Sequence, residues 1–155
     1  MIDLSNEQEV REALVAEAKT WVGTPVHWQA AVKRGGTDCR GWIYETGKAV
    51  GMPEAENIEA ALCNYRLDFT PKYFLGRVSK VLVQTDDPKM GDIIAIKINP
   101  KDKGPRHLAM LVDNNRIIHC YGRGLGKVVS APLGKSRPIH SYWTWPSLVG
   151  GNHGD

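Results

Sequence analysis

The hydrophobic pattern of this chain changes period once, at Asp92, and that change restricts the fold more than any other feature. Before it, apolar residues recur at three- and four-residue steps. Val10, Leu14, Ala18 and Trp21 predict a helix over residues 6–22, opened by a capping-box pair, Ser5 and Gln8, and ended by Gly23 with Pro25 behind it. Trp42, Ile43, Ala49 and Val50 predict a second helix from Cys39 to about Val50, ended by Gly51. Ile58, Leu62, Tyr65 and Phe69 predict a third, from Glu54 to Phe69, stopped by Pro71. Tyr73 to Val83 fits a fourth through Phe74, Val78 and Leu82, although its end also fits a strand. From Asp92 the period is two. Asp92 to Ile98, His107 to Asp113, Arg116 to Tyr121, Lys127 to Ser130 and Ile139 to Trp145 read as short strands separated by Gly, Pro or Asn turns. Helices followed by an antiparallel run is an α+β order, with N-terminal helices packed on a C-terminal antiparallel sheet.

With 155 residues, 42% of them hydrophobic, the chain can bury one core, so a single domain over residues 1–149 with a flexible tail at 150–155 is expected. A net charge of +3 is too mild to argue for nucleic acid, although it suits a polyanionic wall. No apolar run is long enough to span a membrane, and no charged-then-apolar leader follows Met1, which predicts synthesis in the cytoplasm without a signal peptide. Cys39, Cys63 and Cys120 form neither a disulfide framework nor a CxxC metal pair.

Chemistry concentrates between Gly23 and Gly51. A Gly35-Gly36-Thr37 approach leads to Asp38, a good N-cap, which places Cys39 in the first turn of the second helix. The partial positive charge and free N–H groups there would push a thiol towards thiolate. Alone, a cysteine on an apolar helix face is more often core than catalyst, and a nucleophilic reading needs a histidine from elsewhere. His107 opens one strand and His119 lies twelve residues later on the next. Together with Cys39 they could supply nucleophile, base and orienting group for acyl transfer. The loop before Cys39 adds His27, Trp28, Gln29, Lys33 and Arg34, and an exposed basic loop, residues 99–106, precedes His107. Cys120 should point to the opposite strand face, away from the site. Cys39, His107 and His119 are also chemically able to bind zinc, but no short ligand pair accompanies them; neither metal nor cofactor is expected.

Gly23-Thr24-Pro25 with Trp28, Asp38-Cys39-Arg40-Gly41, Met90-Gly91-Asp92, and His107 through Val112 leading to Ile118-His119 resemble the NlpC/P60 cysteine peptidases over roughly residues 10 to 145. The resemblance implies a papain-like fold and a Cys39, His107, His119 triad. It implies hydrolysis of peptidoglycan stem peptides through a Cys39 thioester, usually at a γ-D-glutamyl to diamino-acid bond. The closing Tyr142-Trp143-Thr144-Trp145-Pro146 looks most like the single-domain peptidases of phage tails and gene transfer agents. That implies tail hub or tip proteins as partners, a virion or tail location, and action in the periplasm or cell wall. Most relatives carry a tyrosine after the proline of Gly-Thr-Pro, and its hydroxyl helps bind the oxyanion; here the residue is Val26. The backbone N–H of Cys39 can still serve, with Gln29, His27 or Trp28 as second donors and Asp38 beside them. Two other readings are a secreted antibacterial amidase effector and an inactive structural or binding module of the same fold.

The turn between the two histidine strands sets a geometric condition. A regular two-residue Asn114-Asn115 turn would pair Asp113 with Arg116 and put His119 on the face opposite His107. A triad needs a three-residue loop, or a bulge with the same effect, so that both histidines share the face that meets Cys39.

Overall fold

The structure is a computed structural model that describes residues 2–63, 70–121, 126–134 and 137–149, the side chains of Cys63 and Tyr121 excepted. Helix α1 (Glu7–Lys19) is capped by Asn6, whose side chain accepts the Glu9 N–H at 3.1 Å. Ser5, the expected cap, instead gives its hydroxyl to the Asp3 carboxylate at 2.6 Å. The buried face of α1 carries Val10, Leu14, Val15, Ala18 and also Arg11. Arg11 survives burial because each nitrogen of its guanidinium is bonded: Nη1 donates to Asp92 at 2.8 Å and to the Met90 carbonyl at 3.0 Å, Nε to Glu7 at 2.8 Å and Nη2 to the Thr144 hydroxyl at 3.4 Å. The bond to Asp92 ties the first helix to the start of the sheet.

Between α1 and the next helix, two-residue strands β1 (Ala31–Val32) and β2 (Gly36–Thr37) form a small hairpin where an irregular loop was expected. Helix α2 (Gly41–Val50) ends at Gly51, as expected, with φ at 92°, a left-handed conformation that glycine adopts without strain. The third predicted helix is broken up. Helix α3 (Ala55–Ile58) widens into a π-helical turn at Glu59–Cys63, and the predicted continuation through Tyr65 and Phe69 lies outside the described residues. The predicted stop ahead of Pro71 lies outside the described residues, and Pro71 itself starts a helix. It occupies the first turn of α4 (Pro71–Val81), where a missing N–H costs nothing, and Thr70 caps the Tyr73 N–H at 3.2 Å. The ambiguous Tyr73 to Val83 segment is both things in turn: α4 ends at Val81 and edge strand β3 (Val83–Thr85) follows.

The remaining strands are β4 (Ile93–Ile96), β5 (His107–Asp113), β6 (Arg116–Tyr121), β7 (Lys127–Pro132) and β8 (Ile139–Thr144), and a short helix α5 (Pro146–Val149) closes the described chain. The sheet order is β3-β8-β4-β5-β6-β7, antiparallel at every junction, so the α+β expectation holds. Strand alternation divides the buried residues between two faces. Leu108, Met110, Ile118 and Cys120 pack under the helical layer with Leu14, Trp42, Ile58 and Phe74. Ile94, Ile96, Ala109, Leu111 and Ile117 form a smaller cluster on the other face. Among the described residues, no helix is long and apolar enough to cross a membrane.

Candidate active site

Asp38 builds the turn that holds Cys39. Its Oδ1 accepts the N–H groups of Gly41 at 2.7 Å and Arg40 at 3.1 Å, and its Oδ2 accepts that of Gln29 at 3.2 Å. The capping role is the expected one, but regular helix begins only at Gly41, so Cys39 sits in the turn ahead of α2 rather than in its first turn. Gly41 is needed for a steric reason. A Cβ there would fall 2.6 Å from the Ala30 carbonyl oxygen and 2.8 Å from the Ala31 side chain, because the β1 strand crosses directly over the start of α2. The same approach is bonded, with Asp38 N–H donating to the Ala30 carbonyl at 3.1 Å.

The histidines are aligned by an irregularity. Asp113 pairs with Arg116 across a two-residue Asn114-Asn115 turn, the register that would separate the histidines. Val112 then has no partner, and the ladder resumes as Leu111 with Ile117, Met110 with Ile118 and Ala109 with His119. This bulge restores the parity that a three-residue loop would have provided. His107 and His119 therefore share a face, and His107 Nε2 lies 2.9 Å from His119 Nδ1, with the rings edge-on at 72°. The shared face is that of Ala109 and Ile117, opposite the helical layer, and not the face on which Cys39 packs as expected. The two sides meet because His107 is the first residue of β5. A cavity of about 550 Å³ wraps that strand end, receiving Cys39 and Cys120 from the helical side and Ile96, His107 and His119 from the other.

Of the other residues singled out in the sequence, the cavity includes Trp28, Asp38 and Val26 in its walls, but not His27 or Gln29. Gln29 has positive φ, 56°, and presents its backbone N–H to Asp38, while the exposed His27 ring is directed to the Trp28 carbonyl at 3.2 Å. Trp28 stands 70% exposed at the cavity mouth. Cys120 departs from expectation: although opposite His119 on its strand, it lines the same cavity and donates to the Thr37 carbonyl at 3.6 Å. Sequence reasoning missed Lys97 and Arg137 as cavity residues; the exposed basic loop did announce Arg106.

Electrostatics correct a second expectation. Burial raises the Cys39 thiol pKa, outweighing the neighbouring Arg40 charge and the Leu108 N–H, so the resting group is a thiol and not a thiolate. Cys120 is pushed up to about 12 by burial, with Cys39 and Asp38 adding to the effect. Burial lowers His107 to about 3, assisted by His119, Arg137 and Arg40, and lowers His119 to about 4, assisted by Arg137. Both imidazoles are neutral at pH 7. Nε2 of His107 is engaged with His119, which leaves Nδ1 as the nitrogen free for proton transfer. If Nε2 carries the hydrogen and donates to His119, Nδ1 holds a lone pair, the tautomer a general base requires. Cys39 forms no hydrogen bond with His107. Among the described residues no group of three or more His, Cys, Asp or Glu side chains is arranged to hold a metal ion.

Solved structures share this arrangement of elements. NlpC2 from Trichomonas vaginalis superposes with a TM-score of 0.61 at 20% identity, over 87% of this chain and 47% of that one. The NlpC/P60 domain of the peptidoglycan hydrolase SagA matches at 0.57 and 18% identity, over 86% and 97%. The peptidoglycan hydrolase RipB from Mycobacterium tuberculosis matches at 0.59 and 19%, over 92% and 67%. The fold is that of the NlpC/P60 domains. This NlpC/P60-like chain spans about half the length of the two Trichomonas proteins it resembles. No protein-family model matches the sequence, and no curated protein matches it by sequence.

Proposed function

We propose that the chain is a cysteine peptidase that hydrolyses peptidoglycan stem peptides, with Cys39 as nucleophile, His107 as base and then acid, and His119 as the group that orients His107. The observation carrying this reading is the His107–His119 hydrogen bond at the wall of the cavity that Cys39 also lines. With the proton on sulfur and the imidazoles neutral, the thiol is deprotonated as it attacks. The sulfur bonds to the carbonyl carbon while its proton passes to Nδ1 of His107. The tetrahedral intermediate collapses to a Cys39 thioester as that proton is handed to the departing amine; water, deprotonated by the same nitrogen, then attacks the thioester carbon, the C–S bond breaks, and the proton returns to the departing sulfur. The backbone N–H of Cys39 is the oxyanion donor we assign.

The bond we propose is γ-D-glutamyl to diamino acid. The carrier we propose is a phage or phage-like tail, supported by the resemblance of the Tyr142 to Pro146 stretch, with action in the periplasm or cell wall. Incubation of the purified protein with murein should release soluble stem fragments, identified by mass spectrometry, and Cys39→Ala should release none. Equal release by Cys39→Ala would overturn the reading.

One pair of observations favours a second reading, a binding module without turnover. Val26, at the position where the resemblance implies a tyrosine, lines the cavity without a hydroxyl, and the thiol is protonated and not hydrogen-bonded to His107. Tight binding of murein with no fragment released by the wild-type protein would select it.

A further inference from the structure

Cys120 has no place in the acyl-transfer chemistry, yet it lines the same cavity as Cys39. It reaches that cavity from β6, and Cys39 reaches it from the turn ahead of α2. The two segments touch: Cys120 Sγ donates at 3.6 Å to the carbonyl of Thr37, two residues before Cys39 in the chain. Cys39 also packs against the buried cluster that contains Cys120. A charge on Cys39 is close enough to oppose ionisation of Cys120. Both sulfurs are free thiols.

The two thiols differ in access. Cys39 is half-buried at the cavity wall, whereas Cys120 is 5% exposed, so a small oxidant entering the cavity meets Cys39 first. A cysteine oxidised to sulfenic acid goes on to the irreversible sulfinic acid unless a nearby thiol captures it. Capture requires the two Cα atoms to come within about 7 Å. Regular helix starts only at Gly41, so the turn that carries Cys39 can shift towards β6 without breaking the hydrogen bonds inside α2.

We propose that Cys120 is the resolving thiol of Cys39: hydrogen peroxide oxidises Cys39, and the two cysteines then close a reversible disulfide across the cavity wall. In the first step the Cys39 sulfur attacks a peroxide oxygen, the O–O bond breaks, and a sulfenic acid and one water form. In the second the Cys120 sulfur attacks the Cys39 sulfur, the S–O bond breaks, and the departing hydroxide takes the Cys120 proton and leaves as water. Two thiols lose two electrons and two hydrogens, and the peroxide becomes two waters. On the reading above, in which Cys39 is the nucleophile, this disulfide switches hydrolysis off and a reductant switches it back on. The bond itself does not depend on that reading.

Reduced wild-type protein is treated with hydrogen peroxide, remaining thiols are blocked with N-ethylmaleimide, and the digest is mapped by mass spectrometry without reduction. The main product should be a Cys39–Cys120 linked peptide pair. In Cys120→Ala, Cys39 should instead accumulate as sulfinic acid. That variant keeps the Thr37 carbonyl bonded, because the His27 N–H also donates to it at 2.8 Å. Dithiothreitol should return murein hydrolysis by the oxidised wild-type protein to within about twofold of its untreated rate, and leave oxidised Cys120→Ala about tenfold or more below its own. Absence of the Cys39–Cys120 pair, a cross-link to Cys63 in its place, or equal sulfinic acid at Cys39 in both proteins would each overturn the proposal. A Cys39–Cys120 disulfide in a protein that releases nothing from murein before oxidation would sink the peptidase reading and leave the resolving role of Cys120 standing.

Discussion

His107 Nε2 and His119 Nδ1 lie 2.9 Å apart because Val112 is an extra residue in β5. Without that bulge the tight Asn114-Asn115 turn would have sent the two rings to opposite faces of the sheet. In the mechanism proposed above, His119 is the acceptor that keeps the hydrogen of His107 on Nε2. His119→Ala should lower kcat about 100-fold or more, the scale of a lost acid–base arrangement. His119→Gln, whose carbonyl oxygen can accept the same hydrogen, should recover a substantial part. Steady-state kinetics on a soluble stem peptide decides this, and equal losses in both variants would refute the orienting role.

Val26 offers a gain-of-function test. Its side chain lines the cavity, so Val26→Tyr places a hydroxyl there, and turnover should rise by up to about 100-fold if an oxyanion donor is what the site lacks. Gln29→Ala should change turnover little, because the bond that Gln29 makes to Asp38 uses its backbone N–H. A large loss with Gln29→Ala would mean that its side chain had been drawn into the site.

The pH dependence follows from two histidines held neutral. Their pKa values fall from 6.5 to about 3 for His107 and about 4 for His119 in the folded chain, so below 6.5 the unfolded chain binds more protons than the folded one. The stability they confer is present above pH 6.5 and is lost progressively as pH falls towards 4 and then 3. Urea denaturation between pH 7 and 4 should show that slope, and the double variant His107→Gln, His119→Gln should flatten it. For the same reason the pH–rate profile should have no acid limb near 6.5 and should fall off nearer 4.

Alkylation reports the thiols. With its pKa raised by burial, Cys39 should react with iodoacetamide slowly at pH 7 and steeply faster only above pH 9 or so. Cys120, at about 12 and buried, should stay unlabelled in the folded protein. Rapid labelling of Cys39 at pH 7, read by mass spectrometry, would show a thiolate already present.

Gly41 tests the crossing of β1 over α2. Gly41→Ala sets a methyl group against the Ala30 carbonyl at 2.6 Å, which must push the loop or the helix start aside. Overpacking of this kind costs about 1–3 kcal/mol. Because the displaced atoms flank Cys39, activity should be lost even at temperatures where circular dichroism shows the variant folded.

Residue periodicity alone determined the class of nearly every element and the α+β order, because a side chain's face is set locally by a 3.6- or 2-residue repeat. The strands His107–Asp113 and Arg116–Tyr121 match their predicted bounds, and Asp38 bonds the N–H groups of Arg40 and Gly41 at the start of α2, although the cap position itself is Arg40. What the sequence left open depended on distant partners. The Asn114-Asn115 turn is compatible with either register, and only packing on both faces of the sheet selects the bulge at Val112. Arg11 reads as a solvated helix residue until Asp92, from the far side of the chain, is laid against it. The Cys39 thiol reads as activated if only the nearby helix N-terminus is considered. Burial, which sums over every element packed around the sulfur, reverses that shift, and the same packing brings Lys97, Arg106 and Arg137 to the histidines from loops that show no common pattern in the chain.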